Sequence, residues 1–290
     1  MREPPRPPRI EALIRWAAAE FTRSPTPMID ARVLAKAAFG VDDAQLIADG
    51  SRSASDAELA LFVSMVSRRA KEEPVAHIVG RREFWSLEFE VAPGILVPRA
   101  DSETLIDAVL SRRRRDAPLK IVDLGCGSGA LLCALLGEFP KASGLGVDID
   151  PEAVGLTLRN IARLGFSSRA RAEAGDFLNA TNERFDIVIS NPPYIRTVDR
   201  DRLPGEVRNF ESPLALFGGE DGLAAYRAIL KRAPGRLAEG GLMVLEFGED
   251  QAGPVNEIAR SAFPEALISV ENDLAGRPRA LVIDLRPAAL

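Results

Sequence analysis

Residues 185–194 read FDIVISNPPY, and this stretch decides the predicted fold. The apolar, β-branched run at 187–189 is typical of a central strand that is buried on both faces. The strand must end where the prolines begin, because Pro192 restricts Asn191 to extended conformations and a proline has no N–H group to pair. Open α/β sheets bind ligands at the carboxyl ends of their strands, so the NPPY segment (residues 191–194) is a candidate site.

Strand and helix patterns alternate along the chain from residue 119. Strands are predicted at 119–124, 144–147, 169–174, 185–190 and 242–247, with helices between them, as at 131–136 and 154–164. This alternation predicts an α/β fold with a doubly wound, mostly parallel sheet. Two more strands, at 267–270 and 280–285, have no helix between them, which predicts an antiparallel pair at or near an edge. The long connection from 194 to about 222 contains apolar residues, which favours an ordered lid or substrate loop.

The N-terminal part of the chain has a different pattern. Residues 1–9 are rich in proline and arginine and are predicted to form a disordered tail. Residues 10–80 show only helical periodicity, with a capping box at Ser55 and Glu58. They are predicted to form a small all-α domain with a binding or docking role.

Residues 81–97 are predicted to form a β-hairpin that links the two domains. Apolar and polar residues alternate from Trp85 to Val91, which is typical of a half-buried strand. Ala-Pro-Gly at 92–94 predicts the turn, and the apolar residues after it predict the returning strand. Residues 98–290 are then predicted to form the α/β domain.

The composition argues against several classes of function. A net charge of −5 gives no overall basic surface for nucleic acid or an anionic membrane, and no apolar stretch reaches 18 residues. Cys126 and Cys133 have no paired spacing, which favours a reducing compartment, and a single histidine, His77, cannot build a histidine metal cluster. We therefore expect a cytoplasmic protein with no metal site, no direct nucleic-acid partner and no membrane contact.

A glycine-rich loop follows the first strand of the α/β domain. Residues 122–129 read VDLGCGSG, and a helix pattern begins after them. Glycines at such a turn let a ligand approach the backbone, where the N–H groups of the helix face it. The loop also satisfies the dinucleotide pattern G-x-G-x-x-A, and a tight turn without a ligand is the structural alternative. The candidate cofactor-binding residues here are Gly125, Cys126, Gly127, Ser128 and Gly129.

Two acidic positions at later strand ends extend this candidate site. Asp148 ends the second strand, where an acid binds ribose hydroxyls in nucleotide-binding folds. A cap for the next helix is the alternative role, which Asp150 before Pro151 fills better. Asp176 and Phe177 close the third strand, and a carboxylate and a ring there match the edge and face of an adenine. A loop acid beside a core aromatic is the alternative for this pair.

The NPPY segment indicates which reaction the site performs. Hydride transfer does not require a rigid NPPY segment at this strand end, whereas methyl transfer to a planar nitrogen does. An amide or amino NH2 group is a poor nucleophile and must be held in place to react. If the Asn191 side-chain oxygen and the Pro192 carbonyl accept its two hydrogens, the lone pair faces the methyl group. Pro193 keeps the segment rigid and Tyr194 can stack on a flat acceptor. The carbonyl oxygens also oppose the positive charge that develops on nitrogen.

With these motifs the chain resembles the HemK-type protein-(glutamine-N5) methyltransferases, a class I S-adenosylmethionine-dependent family that includes bacterial release factor glutamine methyltransferase. The resemblance covers nearly the whole chain. Beyond the helical N-terminus, the glycine loop and the NPPY segment, it rests on REFW at 82–85, VPR at 97–99, FESP at 210–213 and LEFG at 245–248. Departures from the family pattern are Ala100 in place of proline, His77 in place of tyrosine and Phe177 in place of the tryptophan of some relatives.

The resemblance implies a Rossmann-like, mostly parallel seven-stranded sheet and a specific substrate. Gly125–Gly129, Asp148 and Phe177 would contact S-adenosylmethionine, and Asn191–Tyr194 would hold the glutamine of the Gly-Gly-Gln motif in class 1 peptide chain release factors. The N-terminal helices would help to dock that protein. Residues 98–290 would be the S-adenosylmethionine-dependent methyltransferase domain.

Three other functions remain open at this point. A ribosomal-protein glutamine N5-methyltransferase has the same NPPY segment and architecture. An adenine-N6 or guanine-N2 nucleic-acid methyltransferase also has the segment, but the acidic balance of the chain argues against it. A non-catalytic binding module is the third, and the intact NPPY segment argues against that one.

Overall fold

The computed structural model describes residues 1–286, which form two compact units. The first unit comprises Met1–Arg81 together with Pro204–Phe210, and the second comprises Arg82–Leu203 and the residues from Glu211 onward. Each unit has its own hydrophobic core. The second piece of the first unit therefore comes from the long connection that follows the NPPY segment.

The first unit is helical, as the sequence predicts. Its helices are α1 (Ile10–Glu20), α2 (Pro27–Phe39), α3 (Asp43–Ala48), α4 (Asp56–Arg69), α5 (Val75–Val79) and, from the connection, α9 (Gly205–Phe210). The capping box at the start of α4 is confirmed, since Ser55 accepts from the Glu58 N–H and Glu58 accepts from the Ser55 N–H. Phe39 and Phe62 lie in the core with their ring centroids 5.2 Å apart.

The residues before α1 have defined partners in the same unit. The sequence predicts a disordered tail for 1–9, but the Arg2 carbonyl accepts a hydrogen bond from Trp16 Nε1 at 3.3 Å. Arg9 also forms an isolated β-bridge with Ser53. A proline- and arginine-rich composition does not reveal these contacts, because they depend on groups far along the chain.

A buried arginine connects three elements of the first unit. Arg69, at the end of α4, donates from Nε to Asp30 of α2 at 2.7 Å and from Nη1 to Glu206 of α9 at 2.8 Å. Arg69 is only 6% exposed and Asp30 only 8%. A buried charge is tolerated when it is paired and hydrogen-bonded, and here one arginine joins α9 to the helices of the N-terminal segment.

The second unit contains a seven-stranded sheet, as predicted. Its strands are β3 (Lys120–Leu124), β4 (Ser143–Asp148), β5 (Ala170–Ala174), β6 (Phe185–Ser190), β7 (Leu237–Glu246), β8 (Leu267–Asn272) and β9 (Pro278–Asp284), in the order β5-β4-β3-β6-β7-β9-β8. Strands β3 to β7 pair in parallel, and β9 pairs antiparallel with both β7 and β8. The predicted antiparallel pair at the edge is therefore confirmed.

Helices cover both faces of this sheet. They are α6 (Glu103–Leu110), α7 (Ala130–Glu138), α8 (Pro151–Arg163), α11 (Ala224–Arg232) and α12 (Ala252–Ala262). A short helix, α10 (Pro213–Leu216), lies in the connection after the NPPY segment. Ile187 and Ile189 of β6 pack in the cluster that contains α6 and α7, whereas Val188 packs with α11 and α12. The strand is therefore buried on both faces, which is the physical reason for its continuous apolar run.

The strand order reverses direction between β3 and β6. The chain runs outward from β3 through β4 to β5, then returns to place β6 on the other side of β3. Ligands bind in the crevice at such a switch point, outside the carboxyl ends of the strands. The glycine loop after β3 and the NPPY segment after β6 both begin there.

The β-hairpin has a different turn from the predicted one. Its strands are β1 (Arg81–Phe84) and β2 (Leu87–Glu90), and Trp85 and Ser86 form the turn with φ of 51° and 57°. The prediction of a turn at 92–94 with a returning strand is wrong. A two-residue turn keeps the alternation of apolar residues in step on both sides, so the pattern looks like one long strand.

No helix within residues 1–286 has the length and apolar character needed to cross a membrane.

Candidate active site

A cleft in the second unit lies at the switch point of the sheet. It contains about 910 Å³ of empty space, part of it open to solvent. Of the sequence-predicted site residues, those on its wall are Gly125, Cys126, Gly127, Ser128, Asp148, Phe177, Asn191 and Pro193. The cleft therefore brings the glycine loop, the end of β4 and the NPPY segment together.

The glycine loop is fixed by side chains of α8. Thr157 Oγ1 donates to the Gly127 carbonyl at 2.9 Å, and Asn160 Nδ2 donates to the Ser128 carbonyl at 2.9 Å. Gly127 has φ of +55°, a conformation in which a side chain would be strained. The loop carbonyls are thus bonded to α8, and the backbone of the loop lies along the wall of the cleft.

Asp148 is held at the end of β4 by two backbone groups. Its Oδ2 accepts from the Gly127 N–H at 2.9 Å and its Oδ1 accepts from the Asp150 N–H at 3.0 Å. Burial raises the pKa of Asp148, and these two hydrogen bonds oppose that effect. Each carboxylate oxygen has more than one lone pair, so Asp148 retains acceptor capacity for hydroxyl groups in the cleft.

Phe177 lines the cleft, whereas the neighbouring Asp176 does not. Phe177 has φ of 45°, and a Cβ at Gly125 would lie 3.9 Å from its Cε1 atom, so the ring lies beside the glycine loop. Asp176 does not line the cleft, and its Oδ2 accepts from Asn179 at 3.0 Å. Gly129, with φ of +78°, is the N-cap of α7 and does not line the cleft either.

Asn191 extends from the end of β6 into this wall. The neighbouring Ser190 donates from Oγ to the Leu124 carbonyl at 2.6 Å, which ties the end of β6 to the end of β3. The Asn191 Nδ2 group donates to Ser102 Oγ at 3.1 Å. Ser102 ends the short 3₁₀ helix Ala100–Ser102 before α6. The side chain of Asn191 is therefore oriented by a residue 89 positions earlier in the chain.

A buried carboxylate lies behind Asn191. Ser102 Oγ donates to Glu246 Oε2 at 2.5 Å, and Glu246, at the end of β7, is only 1% exposed. Tyr194 also hydrogen-bonds the Glu246 side chain. Burial raises the pKa of Glu246 to about 7, although the Ser102 hydrogen bond and the charge of Arg279 act in the opposite direction.

Tyr194 and Pro192 do not line the cleft. The Tyr194 ring packs against the cluster formed with α11 and α12, and burial raises the pKa of its hydroxyl. Gln251 Nε2 donates to the Tyr194 carbonyl at 3.0 Å. Stacking of Tyr194 on an acceptor remains a prediction.

Two segments that are distant in sequence form part of the cleft wall. Arg99 Nη2 donates to Glu211 Oε1 at 2.5 Å, and Gly94 forms a β-bridge with Glu211. Pro98 and Leu214, from the same two segments, line the cleft. These contacts join the VPR segment to FESP, two motifs of the family pattern.

These residues fit an adenosine-containing ligand. A cleft lined by a glycine loop accepts a ligand close to the backbone, and Asp148 has acceptor oxygens for ribose hydroxyls. Phe177 supplies an apolar ring at the same wall. The arrangement therefore has the groups that the sequence predicts for a nucleoside, next to an amide at Asn191.

Comparison with known proteins identifies the family. Residues 12–80 match the PrmC N-terminal domain, and residues 100–203 match the methyltransferase small domain. The release factor glutamine methyltransferase of Bradyrhizobium diazoefficiens is 40% identical over 256 residues, which cover 87% of this chain and 86% of that protein. The chain belongs to the release factor glutamine methyltransferase family. A second member of the family, from Caulobacter vibrioides, is 39% identical over 88% of this chain and 89% of that protein.

Solved structures confirm the class I methyltransferase fold. The 16S rRNA N2 G1207 methyltransferase of T. thermophilus, solved in complex with AdoMet and guanosine, has a TM-score of 0.51 and 20% identity, and the match covers 71% of this chain and 50% of that one. A methyltransferase from Pyrococcus furiosus has a TM-score of 0.51 and 17% identity, over 69% of this chain and 90% of that one. Family membership also confirms that the chain is a methyltransferase, as the NPPY segment predicts.

Sequence reasoning missed the roles of Ser102 and Glu246 in the site. Ser102 looks like an ordinary residue at a helix start. Glu246, however, is a single carboxylate at the end of the apolar run 242–247, and a charge in a buried strand calls for a partner. That signal was available, but it does not reveal which residue the partner is.

Proposed function

We propose that this enzyme transfers a methyl group from S-adenosylmethionine to the side-chain amide nitrogen (N5) of the glutamine in the Gly-Gly-Gln motif of class 1 peptide chain release factors. The observation that carries the proposal is the place of Asn191. It lies at the end of β6, on the wall of the cleft that the glycine loop and Asp148 also line. An amide oxygen there suits an acceptor that presents an NH2 group.

The residues that would hold S-adenosylmethionine line the same cleft. When bound, it supplies an electrophilic methyl group on a positively charged sulfur. Asp148 would accept hydrogen bonds from the ribose hydroxyls, and Phe177 would contact the adenine. The backbone of the loop Gly125–Gly129 would lie against the rest of the molecule. Its N–H groups at 125, 126, 127 and 129 already donate within the protein, so the loop would offer close approach at its glycines and not a row of free donors.

The chemical task of the NPPY segment is to hold a weak nucleophile in line. Asn191 Oδ1 would accept one hydrogen of the glutamine amide and the Pro192 carbonyl the other, so that the nitrogen lone pair faces the methyl group. Pro192 does not line the cleft in this structure, so its carbonyl would reach the second hydrogen only once the acceptor is bound. The same two oxygens stabilise the positive charge that develops on nitrogen as the methyl group arrives. One proton then passes from the methylated nitrogen to solvent water, because the amide oxygens of Asn191 and Pro192 are too weakly basic to keep it.

The protein substrate needs a docking surface beyond the cleft. We assign this role to the helical unit, whose match to the PrmC N-terminal domain supports it. The curated relatives are named for release factor methylation, which supports a release factor as the partner. The reaction would then take place in the cytoplasm, where release factors act.

The decisive assay uses the full chain, a class 1 release factor and S-adenosylmethionine with a labelled methyl group. We expect one methyl group per release factor, located by mass spectrometry on the glutamine of Gly-Gly-Gln, and none on a release factor with alanine there. A ribosomal large-subunit protein and a DNA duplex serve as competing acceptors. Faster transfer to either of these, or cofactor binding without any transfer, contradicts the proposal.

Asn191→Ala tests the residue that carries the proposal. Removal of the amide should reduce turnover by at least about 100-fold, because the acceptor loses both its orientation and a charge-stabilising oxygen. Affinity for S-adenosylmethionine, measured by calorimetry, should change by less than about threefold. Wild-type turnover in this variant would refute the role of Asn191.

A further inference from the structure

A buried hydrogen-bond chain connects the Asn191 side chain to a carboxylate. Asn191 Nδ2 lies 3.1 Å from Ser102 Oγ, and Ser102 Oγ lies 2.5 Å from Glu246 Oε2. Ser102 is 4% exposed and Glu246 is 1% exposed. Because Ser102 and Glu246 are shielded from water, the protonation state of Glu246 decides which group donates and which accepts in each of these hydrogen bonds.

The charge on Glu246 sets the direction of every bond in this chain. An ionised carboxylate can only accept, so the single hydroxyl hydrogen of Ser102 points to Glu246. Ser102 Oγ then offers only lone pairs to Asn191, which must turn its NH2 group towards Ser102. The other end of the amide, Oδ1, is consequently directed away from Ser102.

We propose that Glu246 and Ser102 are positioning residues that fix the orientation of the Asn191 amide, so that Oδ1 and not Nδ2 meets the NH2 group to be methylated. The proposal rests on the proposed function, which supplies a planar NH2 acceptor. In the flipped orientation, the NH2 group of Asn191 would face the NH2 group of the acceptor. Two donors would then oppose each other, and the acceptor nitrogen would not be held in line.

The environment of Glu246 supports a carboxylate that can change its charge. The polar groups that face it from neighbouring elements are Ser102, Asp101, Tyr194, Tyr226 and Arg279. Arg279 is the cation among them, and it also pairs with Asp101 at 3.2 Å. With burial raising the pKa of Glu246 to about 7, both charge states are accessible near neutral pH.

Protonation of Glu246 reverses the donor and acceptor roles along these hydrogen bonds. A protonated carboxyl donates to Ser102 Oγ, and the Ser102 hydroxyl hydrogen is then available for Asn191 Oδ1. This favours the flipped amide, which is the unproductive one. The productive orientation should therefore dominate above the pKa of Glu246 and decline as the pH falls through it.

Nuclear magnetic resonance reads this orientation without any turnover. The ¹⁵N–¹H signals of the Asn191 side-chain NH2 group are assigned by their loss in Asn191→Ala. In the wild-type chain they should shift between roughly pH 6 and pH 8, and in Glu246→Gln and Ser102→Ala the shift should be less than about a third as large. Wild-type signals that do not shift over this pH range overturn the proposal. Signals that shift as far in both variants as in the wild type overturn it too.

Kinetics with a matched pair at position 102 test the consequence for the reaction. Ser102→Ala should lower kcat by about 10- to 100-fold with little change in the affinity for S-adenosylmethionine, and it should lower Tm by a few degrees because Glu246 loses a hydrogen-bond partner. Ser102→Thr keeps the hydroxyl and should recover kcat to within about threefold of the wild type. A wild-type kcat in Ser102→Ala, or no recovery in Ser102→Thr, overturns the positioning role. If the wild type does not methylate a release factor, the proposed function fails, while the resonance experiment still decides the orientation of Asn191.

Discussion

Asp148 and Asp186 make the same kind of contact at opposite ends of the parallel strands. Asp148 accepts from the Gly127 N–H at 2.9 Å on the wall of the cleft, and Asp186 accepts from the Lys120 N–H at 2.7 Å. Asp148→Asn should weaken the binding of S-adenosylmethionine by about tenfold or more, since it replaces the charged oxygens that we propose accept from the ribose hydroxyls with a neutral amide.

Asp186→Asn is the matched control for that prediction. It removes a carboxylate from a similar backbone contact outside the cleft, and we expect its affinity to stay within about twofold of the wild type. Calorimetric titration of both variants gives the comparison. Equal losses in the two would show that the effect comes from the fold and not from contact with the ribose.

Asp123 predicts a pH dependence of stability. Its carboxyl is fully buried at the end of β3, and burial raises its pKa to about 7 despite a hydrogen bond from the Leu132 N–H at 3.2 Å. An unfolded aspartate has a pKa of about 3.9, so between these values the folded chain binds more protons than the unfolded chain. The stability from this proton is complete below about pH 4 and is lost as the pH rises through 7.

Asp123→Asn removes this titration. The free energy of unfolding of the variant, minus that of the wild type, should therefore increase by roughly 2 to 3 kcal/mol between about pH 5 and pH 8. Urea unfolding at the two pH values measures the difference. A difference that is the same at both would mean that Asp123 does not bind its proton more tightly in the folded state.

At the scale of elements, the hairpin turn has a backbone conformation that its residue types do not predict. Both turn residues have positive φ, a type I′ geometry that usually contains asparagine and glycine. The turn is held by contacts from other elements, since Glu103 accepts from the Trp85 backbone N–H at 3.1 Å and Glu138 accepts from Trp85 Nε1 at 2.8 Å. Tertiary contacts therefore override a weak local preference here.

Ser86→Gly should stabilise this turn. Glycine adopts a φ of 57° without the steric cost that serine has, so we expect a gain of about 0.5 to 1 kcal/mol in the free energy of unfolding. Ser64→Gly is the matched control, because Ser64 lies on the exposed side of α4 and glycine should destabilise a helix by roughly 0.5 kcal/mol. Changes of the same sign in both variants would contradict the explanation.

At the scale of the whole molecule, the helical unit is assembled from two separate parts of the chain. Its core comes from the N-terminal segment, but α9 comes from the connection after the NPPY segment and pairs through Glu206 with Arg69. Breaking a buried ion pair leaves an uncompensated charge, so the loss of Arg69 should loosen α9. A mutation in the N-terminal segment is then expected to act on a segment more than a hundred residues away.

Arg69→Met tests this connection in the full chain. Trypsin should cleave after Arg208 at least about fivefold faster than in the wild type, because local opening exposes the segment. Arg68→Met is the control, since Arg68 is exposed and pairs with Glu73 on the same unit. If the cleavage rates of both variants match that of the wild type, Arg69 does not hold α9 in place.

Several features of this protein could be predicted from the sequence because they depend on neighbouring residues. The β-branched run of β6, the glycines after β3 and the prolines after Asn191 restrict the backbone locally, and together they predict a strand end, a ligand loop and a rigid acceptor site. Because these motifs resemble those of a known family, the prediction extends from the backbone conformation to the reaction. Family membership, the sheet and the methyltransferase activity all agree with that prediction.

Only the tertiary structure decided what lies behind Asn191. The bonds from Asn191 to Ser102 and from Ser102 to Glu246 join residues that are 89 and 144 positions apart. The turn at Trp85 and Ser86 likewise depends on partners in α6 and α7. Local sequence restricts φ, ψ and burial, whereas the pairing of buried polar groups is set by which strand ends the topology brings together.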